Sequence, residues 1–410
     1  MSLLTLWAIF GYYIFFSTKA IYMFFVSSGA GFPSLFLYWT AGAAISIIYF
    51  CMKSGALRKR QGVIIALGVI FGIALYISKE RAELVVKAMS DTLNYYILWS
   101  FPALLIGIMS SKRQKAKLLE PSIDSIVLLF WIALTLSYIK SGGSRHGINL
   151  GGASYQNYSY CASYGLLLDL YMIVYADKTK LSKIFRSRPY KVVRIVFIPM
   201  FFIYQVAGGG RGALVLTCVG ISIVIIDMGV INRKWIQLTV ICAVIAVGLF
   251  LLMPVIQNNG MLNEQFTRAT AFIDDEGSID LENGSSGRDK VYEMAMEDIK
   301  KHPFLGYGPM GQLKERHRYC HNLYLDVLYE GGLVYFAVWV VLTVGFIIRF
   351  IHRIRQNEDD ILFLFLFSCV FMVLMFSAYY PMQGGLWYFI GYLFGAKPEK
   401  SDGKLTLSFI

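Results

Sequence analysis

Residues 236–256 read IQLTVICAVIAVGLFLLMPVI, 21 positions without one charged side chain. About 20 mostly apolar residues in an α-helix cross a hydrocarbon layer about 30 Å thick. Lipid offers the backbone no water to bond, so such a segment satisfies its own hydrogen bonds by forming a helix. This stretch is read as a membrane span, and the rest of the chain repeats it.

Counting outward from it gives twelve apolar runs, at 2–18, 33–52, 62–78, 93–110, 123–139, 160–176, 192–207, 212–229, 236–256, 327–348, 361–380 and 384–395. The first and last are short, and Lys19 interrupts a first run that otherwise continues to Val26, so the count is 11–12. Composition agrees. Of 410 residues, 57% are hydrophobic and 16% charged, with a mean hydropathy of +0.56, whereas soluble domains carry about 25% charged residues. A soluble enzyme, a disordered chain and a small disulfide scaffold are excluded. The expectation is an all-α polytopic integral membrane protein, a single transmembrane domain over 1–410. Met1–Phe10 has neither a basic n-region nor a small-residue cleavage site, so it reads as an uncleaved first span. Six cysteines are scattered, mostly in apolar runs, with no CxxC pair and no zinc spacing. Cys161 and Cys320, near loop edges, are the one pair considered for a bridge, and packing is the preferred reading of both.

The net charge of +12 is then a question of sides. With the N-terminus in the cytoplasm and sides alternating, the cytoplasmic segments 53–61, 111–120, 177–194, 228–235, 349–360 and 396–410 hold 23 Lys and Arg, and the short external loops 78–92, 140–159 and 207–211 hold 6. This asymmetry is the positive-inside rule. It places both termini in the cytoplasm and accounts for much of the charge without nucleic acid as a partner.

One segment, 257–326, is too long for a connection and falls on the external side. Its first half is acidic, with Asp274, Asp275, Glu276, Asp280 and Glu282 among the acids. Its second half, 300–321, is basic, with Arg316, His317, Arg318 and His321 close together. Between them Ser286 and Asp289 have capping-box spacing, and Val291, Met294, Ala295 and Ile299 share one helical face. Pro303 ends this helix, which lies either on the membrane surface or against the bundle. A turn-rich stretch, 304–311, reverses the chain, and His321 stands before the next helix. Arginine forks onto phosphate oxygens, and a neighbouring imidazole moves protons near neutral pH.

Arg211, in Gly208-Gly209-Gly210-Arg211-Gly212, sits in an external hairpin where glycines let backbone approach a ligand closely. An arginine among apolar helices is costly unless it meets an anion or a carboxylate, with snorkelling to the interface as the alternative. Arg288 stands in the first turn of the loop helix, with a plain surface charge as its alternative. The acids 274–282 lack EF-hand spacing and read as solvated, so no metal is expected. Asp169 lies within a span and either pairs with a neighbouring helix or takes part in chemistry. Asp326 and Glu330, four apart, orient a base or pair with lysines. Arg145 and His146 are further phosphate-contact candidates. Tyr155, Tyr158 and Tyr160 stack on a sugar or form an interfacial belt.

Three blocks carry a resemblance. Gly209-Gly210-Arg211-Gly212-Ala213 looks like a Ser-Arg-Gly block opening a span. Gly287-Arg288, Ile299, His302-Pro303, Leu305-Gly306 and Gly308-Pro309 follow a GR…I…HP-x-x-G-x-G pattern, and His321-Asn322, Leu325, Leu328 and Glu330-Gly331 an HN-x-x-L…E-x-G helix start. In order, spacing and topology they resemble the bacterial O-antigen polymerases and O-antigen ligases, over about 207–333. Gly210 stands where that family usually has serine, and Cys320 where it often has alanine. The resemblance implies a membrane-embedded, metal-independent glycosyltransferase in the bacterial cytoplasmic (inner) membrane, with no cofactor and the large loop periplasmic. The donor would be a glycan on undecaprenyl diphosphate. The acceptor would be another lipid-linked repeat unit, giving O-antigen or capsular polysaccharide, or lipid A-core in a ligase. By matching position Arg211 and Arg288 would bind the diphosphate and His321 would act on the acceptor hydroxyl. Arg318 is added from charge density, with Arg145, Tyr155, Asn322 and Glu330 as further contacts. Membrane lipid and a chain-length regulator protein are the other partners expected. Polymerase is favoured because the chain lacks a large extra domain and because 151–160 resembles loops of polysaccharide polymerases. A protein O-oligosaccharyltransferase ranks after the ligase. A transporter or flippase is the reading from another class, opposed by the absence of repeated halves and by charges gathered on one face.

Overall fold

The computed structural model describes residues 1–26, 29–55, 57–113, 119–142, 148–175, 188–270, 288–356 and 361–395. The described part is 84% helical and holds no strand; Leu150 and Ala153 form a lone bridge. The helices in chain order are α1 (Ser2–Val26), α2 (Leu35–Lys53), α3 (Lys59–Glu80), α4 (Lys87–Tyr95), α5 (Phe101–Arg113), α6 (Glu120–Lys140), α7 (Tyr155–Val174), α8 (Arg188–Gly208) and α9 (Arg211–Ile225). Then come α10 (Trp235–Asn258), α11 (Gly260–Thr270), α12 (Arg288–Lys301), α13 (Gly311–Arg316), α14 (Leu323–Gln356), α15 (Ile361–Phe376) and α16 (Gly384–Gly395). A π turn, Tyr96–Ser100, joins α4 to α5.

Each of the twelve apolar runs is a helix, and the chain is a polytopic membrane protein. Among the described residues, eight helical stretches are long and apolar enough to cross a bilayer: Ser2–Val26, Leu35–Lys53, Lys59–Glu80, Lys87–Ser110, Glu120–Lys140, Arg211–Ile231, Trp235–Asn258 and Leu323–Ile348. The other four runs fall in α8 and α15, whose apolar parts are shorter, in α16, and in α7, which opens on the polar Tyr155-Gln156-Asn157. Lys19 does not interrupt α1: its ammonium reaches over the Phe16 ring, 5.9 Å from the centroid, and the helix runs on to Val26.

Small residues set the closest packing. A Cβ on Gly107 of α5 would stand 2.0 Å from the Tyr388 carbonyl oxygen, and one on Gly391 of α16 would stand 2.2 Å from that of Leu104. The two backbones touch because both positions lack side chains, as membrane helix pairs commonly require. α7 is buried throughout 158–172. By contrast, α10 turns Val240, Val247, Phe250 and Leu251 outward, an all-round apolar helix suited to lipid. Asp169 resolves as structural: with Asp124 of α6 it flanks Arg194 of α8, all three buried. It lies fourteen residues beyond Tyr155, about 21 Å along α7 at 1.5 Å per residue, and so takes no part in the site described below.

Segment 257–326 holds more structure than the sequence suggests. α12 is as expected, and its buried Ala295 and Ile299 pack on Cys320 and Tyr329, so it lies against the bundle. Ser286, and with it the capping box, lies outside the described residues, as do Arg145, His146 and the acids 274–282. α11 was not anticipated. Asn259 starts it, its side-chain oxygen accepting from the Leu262 N–H at 3.1 Å. α13 was also missed; α14 begins at Leu323, just after His321 as expected and four residues ahead of the apolar run at 327, and kinks at Gly332, φ +60°. Only glycine fits there, because a Cβ would sit 2.3 Å from the Phe304 carbonyl carbon. All six cysteines are free, and Cys161 and Cys320 are both buried without a bridge.

Candidate functional site

The site forms where the starts of α7, α9, α12 and α14 meet the turn after α15. The hairpin between α8 and α9 is built on α7. Gly208, Gly210 and Gly212 lie against Ser159 and Tyr160: the Gly210 N–H donates to Ser159 Oγ at 3.1 Å, and a Cβ on Gly212 would stand 2.1 Å from the Tyr160 hydroxyl. These three glycines make close contact with α7. Arg211 is thereby held at the first turn of α9, and its Nε donates to the Arg268 carbonyl near the end of α11, 2.8 Å. Carbonyls at a helix C-terminus lack partners and carry partial negative charge, so they suit a guanidinium.

Arg288 opens α12 within electrostatic reach of Arg211, His321, Tyr160 and Tyr319. His321 precedes α14 in the left-handed region, φ +59°. Its Nδ1 lies 3.1 Å from the Ser377 carbonyl, and its ring packs on Tyr319 at 4.3 Å between centroids. A carbonyl only accepts, so Nδ1 carries the hydrogen and the neutral ring keeps its lone pair on Nε2. Burial lowers the imidazole pKa below its ordinary 6.5; the nearby Arg288 lowers it further, and the Ser377 carbonyl partly opposes both. The ring is therefore neutral at pH 7. Ser377 also donates its hydroxyl to Tyr160 at 3.3 Å, linking α7 to His321 through one residue.

Arg211, Arg288 and His321, about 110 positions apart in sequence at the extremes, are thus brought together. Two guanidiniums repel, and a ligand with at least two negative charges offsets that repulsion. Tyr155 stands at the same edge: the Arg268 guanidinium lies over its ring, 5.3 Å from the centroid, and donates to its hydroxyl at 3.2 Å. Tyr158 instead braces α6, donating to the Leu134 carbonyl at 3.0 Å, and is buried.

Other candidates hold the scaffold. Asn322 caps α14, its Oδ1 accepting from Tyr324 and Leu325 N–H at 3.1 and 3.2 Å. Asp326 accepts from the Cys320 N–H at 2.7 Å, and buried Glu330 accepts from the Tyr379 and Tyr380 hydroxyls and from the Met310 N–H at 3.0 Å. Neither acid contacts the imidazole in the described contacts. Arg318 is exposed and reaches Met294 Sδ at 3.9 Å, with no described contact to Arg211, Arg288 or His321. Its neighbour Arg316 grips Asp298 with two hydrogen bonds of 2.8 and 3.0 Å, which holds the Asp298 carboxyl well below the usual carboxylate range. Among the described residues no group of three His, Cys, Asp or Glu is placed to hold a metal ion. The sequence missed Arg268, Ser377 and Tyr319. Asn259-Gly260 before an apolar pair was the one available sign of α11; Ser377 carries no motif at all.

Residues 195–340 match the family model described as O-antigen ligase, a stretch that contains all three motif blocks. The match supports the O-antigen ligase and polymerase superfamily. No curated protein and no solved structure was found to match the chain.

Proposed function

We propose that this member of the O-antigen ligase and polymerase superfamily is a glycosyltransferase that joins undecaprenyl-diphosphate-linked repeat units into O-antigen or capsular polysaccharide. The family match supports enzymes of this kind acting on lipid-linked glycans at the inner membrane. The observation that carries the reading is the convergence of Arg211, Arg288 and a neutral His321 with Nε2 available. In the reaction an acceptor hydroxyl attacks the anomeric carbon of the donor, and the bond from that carbon to the diphosphate oxygen breaks. The electron pair leaves with the lipid diphosphate. Arg211 and Arg288 stabilise the charge that builds there, as preorganised donors in a low-dielectric site do. His321 Nε2 takes the hydroxyl proton, and the Ser377 carbonyl fixes the ring that does so. The two guanidiniums supply the positive charge, so the step is routed through no metal. The site faces the outside of the cytoplasmic membrane, with both termini in the cytoplasm. A chain-length regulator is a further partner in this reading.

A ligase is the second reading, favoured by the description of the matching family. Both share the donor chemistry and differ in the acceptor. A glycan ladder from cells deleted for the gene, then restored with wild type or His321→Ala, separates them. Single repeat units without long chains, unrescued by His321→Ala, are expected. Long chains that stay on the lipid carrier assign the ligase, and an unchanged ladder overturns both.

A further inference from the structure

The diphosphate reading leaves one cation beside the site without a role. Arg268, in the last turn of α11, has its guanidinium held on two sides, by the Tyr155 ring and by the Tyr155 hydroxyl. Its NH1 is buried and has no hydrogen-bond partner. One turn earlier on the same face, Gln265 is fully buried with both amide atoms unpartnered, against Gly209 of the hairpin. Buried polar groups are nearly always satisfied, and each exception calls for a ligand, water or ion. Here two exceptions lie on one face of a short helix, three residues apart, next to the hairpin that bears Arg211.

The position has a direction. Arg268 joins Arg211 through its carbonyl, Arg211 is within electrostatic reach of Arg288, and Arg288 of His321. Arg268 is therefore tied to the clamp through Arg211 and has no described contact with Arg288 or His321. Arg211 and Arg288 suffice for the phosphate bonded to the sugar. A second phosphate extends the anion and adds charge, and it needs a donor further from the imidazole. We propose that Arg268 is a specificity-determining binding residue: with Gln265 beside it, it receives an oxygen of the second, lipid-side phosphate and makes the site prefer a lipid diphosphate to a lipid monophosphate. The consequence is selectivity against the monophosphate carrier, which shares the lipid tail and lacks the leaving group. This rests on the diphosphate reading above.

The test uses the full chain in lipid nanodiscs, with farnesyl diphosphate and farnesyl monophosphate as probes, and calorimetry as the readout. Wild type binds the diphosphate more tightly. Arg268→Gln keeps amide donors for the Tyr155 hydroxyl but loses the charge; it lowers diphosphate affinity about 10- to 100-fold, the usual weight of a charged hydrogen bond, and leaves monophosphate affinity within about twofold. Arg268→Lys restores part of the preference. Thermal midpoints of all variants report folding. Equal losses for both probes assign Arg268 a structural role and overturn the proposal, as does an unchanged preference in a folded Arg268→Gln. Arg211→Ala separates the two readings: it loses both probes if the diphosphate clamp holds. Wild-type-like binding by Arg211→Ala, or no binding by wild type, removes the clamp itself and this inference with it.

Discussion

His321→Asn isolates the proposed proton transfer from the fold. Position 321 has φ +59°, a conformation that asparagine adopts more readily than other side chains except glycine. The asparagine Nδ2 occupies nearly the place of the imidazole Nδ1 and can keep the 3.1 Å contact to the Ser377 carbonyl. What disappears is Nε2, together with the ring contact to Tyr319, worth about 0.5–1.5 kcal/mol. The variant therefore accumulates in the membrane. A positioned general base contributes about 10²–10⁴ in rate, about 3–5 kcal/mol of barrier. Polymer formation in membranes supplied with lipid-linked repeat units should fall by that factor. The pH profile adds a second signature. Burial lowers the His321 pKa below 6.5, so the neutral, active form is lost only as pH falls through that lower value. Wild-type activity declines on an acid limb whose midpoint lies below pH 6.5; His321→Asn has no such limb. His321→Ala also loses the Ser377 contact and adds about 1 kcal/mol of backbone strain, so it should be less stable than the asparagine variant. More than a tenth of wild-type turnover in a folded His321→Asn, or an unchanged acid limb, would refute the base role.

Arg211→Lys keeps charge but loses the planar fork and the Nε contact to Arg268; diphosphate affinity should drop at least about tenfold by calorimetry. Gly212→Ala places a methyl 2.1 Å from the Tyr160 hydroxyl and 2.8 Å from Phe376 Cβ. Overpacking of this kind costs about 1–3 kcal/mol and displaces the first turn of α9, so the thermal midpoint falls and activity falls further. Asp298→Asn breaks the charged grip on Arg316 at a local cost of about 1–3 kcal/mol, and limited proteolysis between α12 and α14 should speed up. Asp298 has a depressed pKa, so its contribution is complete above the ordinary carboxylate value near 3.9 and is lost as pH falls through the lower folded value. Wild type should lose thermal stability in that acid window more steeply than Asp298→Asn, and parallel curves would count against it.

The spans were legible because length and apolar continuity alone define them, and every run became a helix. Short amphipathic helices give no such signal, which is why α11 and α13 were read as loop. Arg211, Arg288 and His321 stood out in the sequence because the first two open helices after a glycine and His321 stands just before one. Arg318 shows the limit: charge density marked 316–318, but only the fold tells that Arg316 turns to Asp298 while Arg318 lies outward against Met294. Ser377 and Arg268 act through contacts more than fifty residues away in sequence, which no local pattern records.

The acids of this region do a different task from the one their type suggests. Among the described residues, the segment from α12 to α14 has three non-glycine residues in the left-handed region: Met310, His317 and His321. Each such residue costs about 1–3 kcal/mol and persists only where its surroundings over-determine it. Each stands beside a carboxylate contact. Glu330 accepts from the Met310 N–H itself, Asp298 grips Arg316 just before His317, and Asp326 accepts from the Cys320 N–H just before His321. Three acids thus hold three strained corners, and the last corner is the one that aims the imidazole. Glu330 is occupied by two tyrosine hydroxyls and a backbone N–H, and Asp298 by Arg316, Lys301 and Tyr329. None of the three acids contacts the imidazole in the described contacts, and each instead holds the backbone at or beside a corner. In the reading proposed here base chemistry falls to His321, and the acids act through the backbone that carries it.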